Sequence, residues 1–333
     1  MSEVKQHESS VLAIDVGGTQ IRAAIVSRQG RIIAKNFYPT LAAEGLESVI
    51  SRILLAIDRL LKGKGGGSSS PDSISLAAAG AIDYEKGIIT LSPNLPGWQN
   101  VPLRDVVEKR YGMETFLIND ASAAALGEHR FGAGKGVNNL IYLTVSTGIG
   151  GGIIINGELY SGVSGGAGEL GHMTIEVNGP VCSCGNTGCL EVFASGRAMA
   201  REAIKRINDG ERSALTEMAG GKIDNITAEK VSVAAQAGDS LALEVVSQAG
   251  MYLGVGLANL VNIFNPEMII VGGSVAKVGN LLLDPAREVV KERAFPLFFQ
   301  AVRIVNAQNI DEAGLLGAAA FAFQHRLSQE GAR

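Results

Sequence analysis

No run of about 18 unbroken apolar residues occurs anywhere in the sequence, so a fully apolar membrane-crossing helix is not expected. Positive charge is not in excess. Lys and Arg total 29 against 33 Asp and Glu, a net charge of -4, which argues against a nucleic-acid footprint. The opening residues, MSEVKQHESS, are polar and lack the apolar core of a secretion signal. These features point to a cytoplasmic chain with neither a membrane nor a nucleic-acid partner. Cysteine is scarce: Cys182, Cys184 and Cys189 are the whole complement of three. An odd, tightly clustered set without a secretion signal argues against a disulfide framework, and leaves a metal site or a reactive thiol cluster.

Glycine is abundant instead. There are 43 in 333 residues, roughly twice the usual ~7%. They gather just after apolar runs, where tight turns and close backbone approach to a ligand would need them. Val11–Val16 predicts a strand, Gly17-Gly18-Thr19 a turn and Ile21–Val26 the return strand, with a third strand near Ile32–Asn36. Leu46–Leu61 has helical periodicity. Lys62–Ser73 reads as a polar loop, Ser73–Ala79 as a buried strand, and Thr115–Ile118 as a strand leading to Asn119-Asp120 and a helix over Ala121–His129. Leu140–Val145, Ser146-Thr147-Gly148 and Gly150–Ile155 repeat the opening strand, turn and strand. Aligning the two turns gives an offset of 129 residues, a domain-sized interval that points to a duplicated fold. Leu241–Asn262 predicts a long apolar helix, Met268–Val271 a strand ending at Gly272-Gly273-Ser274, and Ile310–His325 a closing helix.

Turns of this kind suit phosphate. Glycine lets backbone N–H groups cluster and approach, and Thr19 adds a hydroxyl donor. Asp15, just ahead of the first turn, suits Mg²⁺, which prefers oxygen ligands and keeps several waters. Neither G-x-x-x-x-G-K-[ST] nor a strand-to-helix G-x-G-x-x-G fits the strand–turn sites, so P-loop and Rossmann readings are poor. The duplicated turns with D-V-G-G-T resemble the actin-like ATPase superfamily. That resemblance implies an α/β, two-domain actin-like ATPase fold, a duplicated ribonuclease H-like unit with an interdomain cleft. It implies ATP contacts at Asp15, Gly17, Gly18, Thr19, Thr147, Gly148, Gly272 and Gly273. The expected division is a smaller domain of residues 1–122 plus 310–333 and a larger one of 123–309.

Four segments carry side chains suited to a polyol: Asn94, Asn119-Asp120, Glu169 with His172, and Glu191. Phosphoryl transfer needs positioning, charge stabilisation and one acceptor for the hydroxyl proton. Asp120, after an apolar strand and at a helix start, suits that acceptor, although an N-cap would explain it as well. Glu169 and Glu191 could be solvated surface, and Asn94 a turn residue.

All four segments match one family. From D-V-G-G-T to the closing helix, and most specifically over ELGHMTIEVNGPVCSCGNTGCLE (169–191), with its E-x-G-H and C-x-C-G-x-x-G-C-x-E motifs, the chain resembles the ROK family. The likeness is strongest to its bacterial ATP-dependent glucokinases. It implies that Asp120 is the base, that Asn94, Asn119, Asp120, Glu169, His172, Glu191 and the backbone of Gly80 bind the sugar, and that the sugar is phosphorylated at its 6-hydroxyl. Other hexoses are open as acceptors: N-acetylglucosamine, N-acetylmannosamine, mannose, fructose or allose. Polyphosphate is open as donor. Gln20 departs from the lysine that many members carry after G-G-T.

His172, Cys182, Cys184 and Cys189 supply four N/S ligands, enough for a closed tetrahedral Zn²⁺ site. The resemblance implies structural zinc on these four residues. Some relatives are sugar-responsive repressors with an added helix-turn-helix domain. About ten residues precede the first strand here, too few for one. A polymerising actin-like ATPase would need neither the cysteine segment nor the sugar carboxylates. Trp98, His129 and His325 are expected to pack rather than bind, and Gly254, Gly256 and Ala258 to serve packing within or between chains; the expected assembly is a homodimer or homotetramer.

Overall fold

The computed structural model describes residues 9–63, 70–92 and 94–330. Most of the polar opening and the centre of the 62–73 loop lie outside the described residues. Two compact units emerge, each with its own apolar core.

The first unit runs to Gly136 and takes back residues 159–167 and the chain from Glu312 onward. Its main sheet begins with β1 (Ser10–Val16), β2 (Gln20–Ser27) and β3 (Ile32–Pro39), an antiparallel meander. Helix α1 (Leu46–Lys62) buries Val49, Ile53, Ala56, Ile57 and Leu60, the one-face spacing of an amphipathic helix. β4 (Ser73–Ala78) returns parallel to β1. A small antiparallel sheet follows, formed by β5 (Ala81–Asp83), β6 (Ile88–Leu91) and β7 (Gln99–Val101). Then come α2 (Leu103–Tyr111), β8 (Thr115–Asn119), parallel to β4, and α3 (Asp120–Phe131). The main sheet has the order β3-β2-β1-β4-β8.

The second unit spans 137–158 and 168–311. β9 (Leu140–Val145) and β10 (Ile149–Ile155) form a hairpin, and β11 (Glu158–Leu159) extends it. The helices α4 (Glu191–Ala194), α5 (Gly196–Asn208), α6 (Leu215–Met218), α7 (Ala228–Gln236) and α8 (Ser240–Phe264) precede β12 (Met268–Gly272). After it come α9 (Asn280–Arg293), α10 (Pro296–Ala301) and β13 (Arg303–Asn306). The sheet order is β11-β10-β9-β12-β13.

Strand for strand, the two main sheets correspond. Each opens with an antiparallel hairpin whose first strand is then flanked by two successive parallel strands. The 129-residue offset of the turns is therefore the offset of two copies of one sheet.

The closing helix, Ala313–Glu330, lies against α3. At Gly317 an added methyl would fall 1.5 Å from the Ala123 carbonyl oxygen, and at Gly127 one would fall 2.3 Å from that of Ala313. These glycines bring the two helix backbones into direct contact. That packing keeps α3 with the first unit through Gly136, whereas a cut at 122 would separate it from its neighbour. The helix begins at Ala313, later than Ile310, because residues 310–312 form a turn and Glu312 accepts the first helical hydrogen bond, from Leu316 N.

α8 is long and apolar enough to cross a membrane by length and composition. It sits in the second unit's core, burying Leu253, Leu257, Leu260 and Val261. Its small residues face protein: a methyl at Gly254 would meet Ala286, and one at Gly256 would meet Leu190. Trp98 is buried at 2% exposure. His129 is buried on α3, and His325 packs its ring 4.2 Å from that of Phe321.

Candidate active site

In the first unit the sheet delivers its functional groups at the C-terminal ends of β1, β4 and β8. Asp15 lies in β1, one residue before its end, opposite Arg22 on β2. The Arg22 guanidinium is 3.9 Å from the Asp15 carboxylate and donates to Gln20 Oε1 at 2.9 Å. Gln20 thus orients a cation beside Asp15. The 17–19 turn is closed by Gly17 N donating to Gln20 O at 3.0 Å and braced by Thr40, whose hydroxyl donates to Gly17 O at 2.7 Å. Asn94 comes against this turn, since a methyl on Gly18 would lie 3.2 Å from its carbonyl oxygen.

The junction of β8 and α3 divides its labour. Asn119 is the N-cap: its Oδ1 accepts from Ser122 N at 3.0 Å. Its Nδ2 donates to Gly80 O at 3.1 Å, which ties the end of β4 to the start of α3. Gly80 has φ +119°, and a methyl there would fall 2.3 Å from Leu91 O, so only glycine fits this corner. Asp120 is the first helical residue, next to the cap. The cap role therefore falls to Asn119 and leaves the Asp120 carboxylate to be explained otherwise.

Burial pushes the Asp15 carboxyl up to about 6. The Asp120 carboxylate adds to the shift and Arg22 opposes it. Two carboxylates facing each other at one sheet end form a site that a divalent cation would relieve. The sign of the stability effect follows. A carboxyl raised in the fold is penalised when ionised, so stability falls as pH rises from the ordinary carboxylate range through about 6. We expect Asp15→Asn to be more stable than the parent at pH 8 by roughly 2–3 kcal/mol, with the gain gone near pH 4. Urea unfolding of metal-free protein at both pH values checks this. A difference independent of pH would refute it.

In the second unit the 146–148 turn is closed by Ser146 N donating to Gly148 O at 2.9 Å. Its Ser146 hydroxyl pairs with that of Ser274 at 2.9 Å, which links it to the Gly272-Gly273 turn after β12. β12 runs parallel to β9, with Gly272 in register with Thr144. Glu191, the first residue of α4, sends Oε2 to Ile149 N at 2.8 Å. Glu169 leads into a short 3₁₀ turn over Leu170–His172, and its carboxylate lies 3.7 Å from His172 Nε2.

The other ring nitrogen, Nδ1, faces Cys182 Sγ at 3.7 Å, and the Cys184 and Cys189 sulfurs are 3.7 Å apart. The four donor atoms all lie within 4.8 Å of one another. Zinc bound to sulfur at ~2.3 Å and to nitrogen at ~2.0 Å in a tetrahedron would separate its ligands by about 3.5–3.8 Å. The quartet fits that geometry. One ring nitrogen of His172 faces the thiols and the other faces Glu169. Burial, together with hydrogen bonds among the thiols, pushes the Cys189 thiol up to about 12. A backbone hydrogen bond from Asn186 leads the lowering at Cys184. Metal binding would have to displace the Cys189 proton.

The ROK family pattern matches residues 11–325. The chain belongs to the ROK family. A Thermotoga maritima glucokinase is 39% identical over 312 residues, covering 93% of this chain and 96% of the relative. A Caldicellulosiruptor bescii xylose repressor is 35% identical over 326 residues, covering 98% of this chain and 81% of the repressor. Among solved structures, the ROK glucokinase of Streptomyces griseus in complex with glucose and AMPPNP superposes with a TM-score of 0.83 at 35% identity. The match covers 95% of this chain and 100% of that one. The paired sheets of this ROK protein are those of the two-domain actin-like ATPase fold.

Arg22 is a neighbour of Asp15 that motif spacing did not flag, and the hydroxyl contact of Ser146 with Ser274 joins two turns that the sequence named separately. Arg22 could have been found from strand pairing, since the residue three after the turn pairs with Asp15 across the hairpin.

Proposed function

We propose that this ROK protein is a sugar kinase that transfers the γ-phosphoryl group of ATP to the 6-hydroxyl of glucose. The observation that carries the reading is the division at the β8–α3 junction, where Asn119 caps the helix and Asp120 stands beside it. Asp120 accepts the hydroxyl proton as the phosphoryl group leaves ATP. Asn94, Asn119, Glu169, His172, Glu191 and the Gly80 backbone hold the sugar. Asp15, Gly17, Gly18, Thr19, Thr147, Gly148, Gly272 and Gly273 are the residues proposed to contact ATP.

Asp15 would hold Mg²⁺, directly or through water. When bound, the ion neutralises charge on the phosphates. Its buried position beside a second carboxylate favours a cation there. Structural Zn²⁺ would be held by His172, Cys182, Cys184 and Cys189.

The likeness to a xylose repressor favours a second reading, a sugar-responsive regulator. The glucokinases favour catalysis, with higher identity and a match over nearly their whole length. An ATP-coupled assay over glucose, N-acetylglucosamine, N-acetylmannosamine, mannose, fructose and allose separates them, with polyphosphate as an alternative donor. Glucose with ATP is expected to give the highest kcat/KM. Sugar binding by calorimetry without turnover on either donor would transfer the case to the regulator.

A further inference from the structure

We infer that Glu191 is a positioning residue for the 146–149 turn, whatever contact it makes with sugar; the inference rests on the reading of that turn as an ATP site. Glu191 Oε2 accepts from Ile149 N at 2.8 Å, one residue after Thr147-Gly148. Space enforces the contact, since a methyl on Gly148 would lie 2.3 Å from the same oxygen. The segment carrying Glu191 then takes hold of the turn's other residues. Gly196 N donates to Ser146 O at 2.7 Å, and Arg197 N donates to Thr147 O at 3.4 Å. Gly171 also presses on the turn, because a methyl there would fall 2.0 Å from Ile149 O.

Gly171 precedes His172, and Glu191 follows Cys189 by two residues. The two chain segments that carry the thiol–imidazole quartet therefore both contact the turn. A phosphate turn works by presenting its N–H groups in fixed directions. With Ile149 N committed to Glu191, the turn keeps its shape before nucleotide arrives. Without that anchor, binding would have to order the turn, and affinity would fall.

The test is calorimetric titration of the zinc-loaded protein with Mg-AMPPNP in the absence of sugar, and separately with glucose alone. Glu191→Ala is expected to weaken nucleotide binding about tenfold or more. Glu191→Asp, too short to reach Ile149 N, should behave the same way and serves if the alanine variant does not fold. Glu191→Gln keeps an amide oxygen for Ile149 N and should bind nucleotide within about threefold of the parent, even where its glucose affinity is lost. Thr147→Ala is run alongside. If it weakens nucleotide binding and Glu191→Ala and Glu191→Asp do not, the positioning role is overturned and Glu191 serves sugar alone. If none of them does, the turn is not a nucleotide site and the underlying reading fails instead.

Discussion

Replacing Asp120 with asparagine is expected to lower kcat on glucose and ATP by about 10²–10⁴-fold, the usual contribution of a positioned general base. The Michaelis constants for both substrates should move only a few-fold, and the melting temperature should hold. The geometry separates these effects. Asparagine has the shape of aspartate and keeps an oxygen for Ala121 N, which donates to Asp120 Oδ1 at 2.9 Å. Helix α3 loses no cap, because Asn119 provides it through Ser122 N. What disappears is the ability to take a proton. A negative charge facing Asp15 goes as well, so the Asp15 carboxyl should ionise more easily. Steady-state kinetics with a coupled assay, plus a thermal melt, reads all three quantities. Parental kcat would remove Asp120 as the base. A large drop in melting temperature with kcat preserved would return it to a structural role.

The parts of this molecule that could be read from its sequence are those where chemistry dictates residue type at short spacing. D-V-G-G-T and the second turn 129 residues later announce a pair of sheets, and the sheets are there in corresponding order. His172, Cys182, Cys184 and Cys189 converge as their ligand chemistry requires. Less was legible where two residue types serve equally. Asn119 and Asp120 are both good N-caps, and only the hydrogen bond to Ser122 N assigns the cap to the first. Strands of three or four residues, such as β5 and β7, are too short to display a period of two. The first unit's boundary depends on long-range packing of α3 on the closing helix, through glycines 190 positions apart in the chain (127 and 317), which local pattern does not reveal.

Zinc removal should produce the second large effect, and it should strike stability and activity together. The segment from Thr174 to Cys189 is held by the quartet and by short-range hydrogen bonds such as Ile175 N to Gly188 O and Cys182 N to Asn186 O, with no helix or long strand of its own. Its strand-like pairing amounts to two isolated bridges, Thr174 with Cys189 and Val181 with Thr187. Val177 and Val181 are 79% and 75% exposed, so it contributes little apolar burial of its own. A structural zinc supplies folding energy directly to such a segment. Glu169 stands three residues before His172, and Glu191 two after Cys189. Loosening the quartet would release one carboxylate from its place beside the imidazole and the other from Ile149 N. We expect chelation with a zinc-selective agent, in excess magnesium, to lower the melting temperature by about 5 °C or more. Activity should fall at least tenfold, and re-added zinc, not magnesium, should restore both. Metal analysis should find one zinc per chain before treatment and none after. Full activity and an unchanged melt in protein verified to be zinc-free would leave the four residues as a thiol cluster with no part in the site. The excess of magnesium keeps the Asp15 side of the reaction supplied, so any loss reports on the second unit alone.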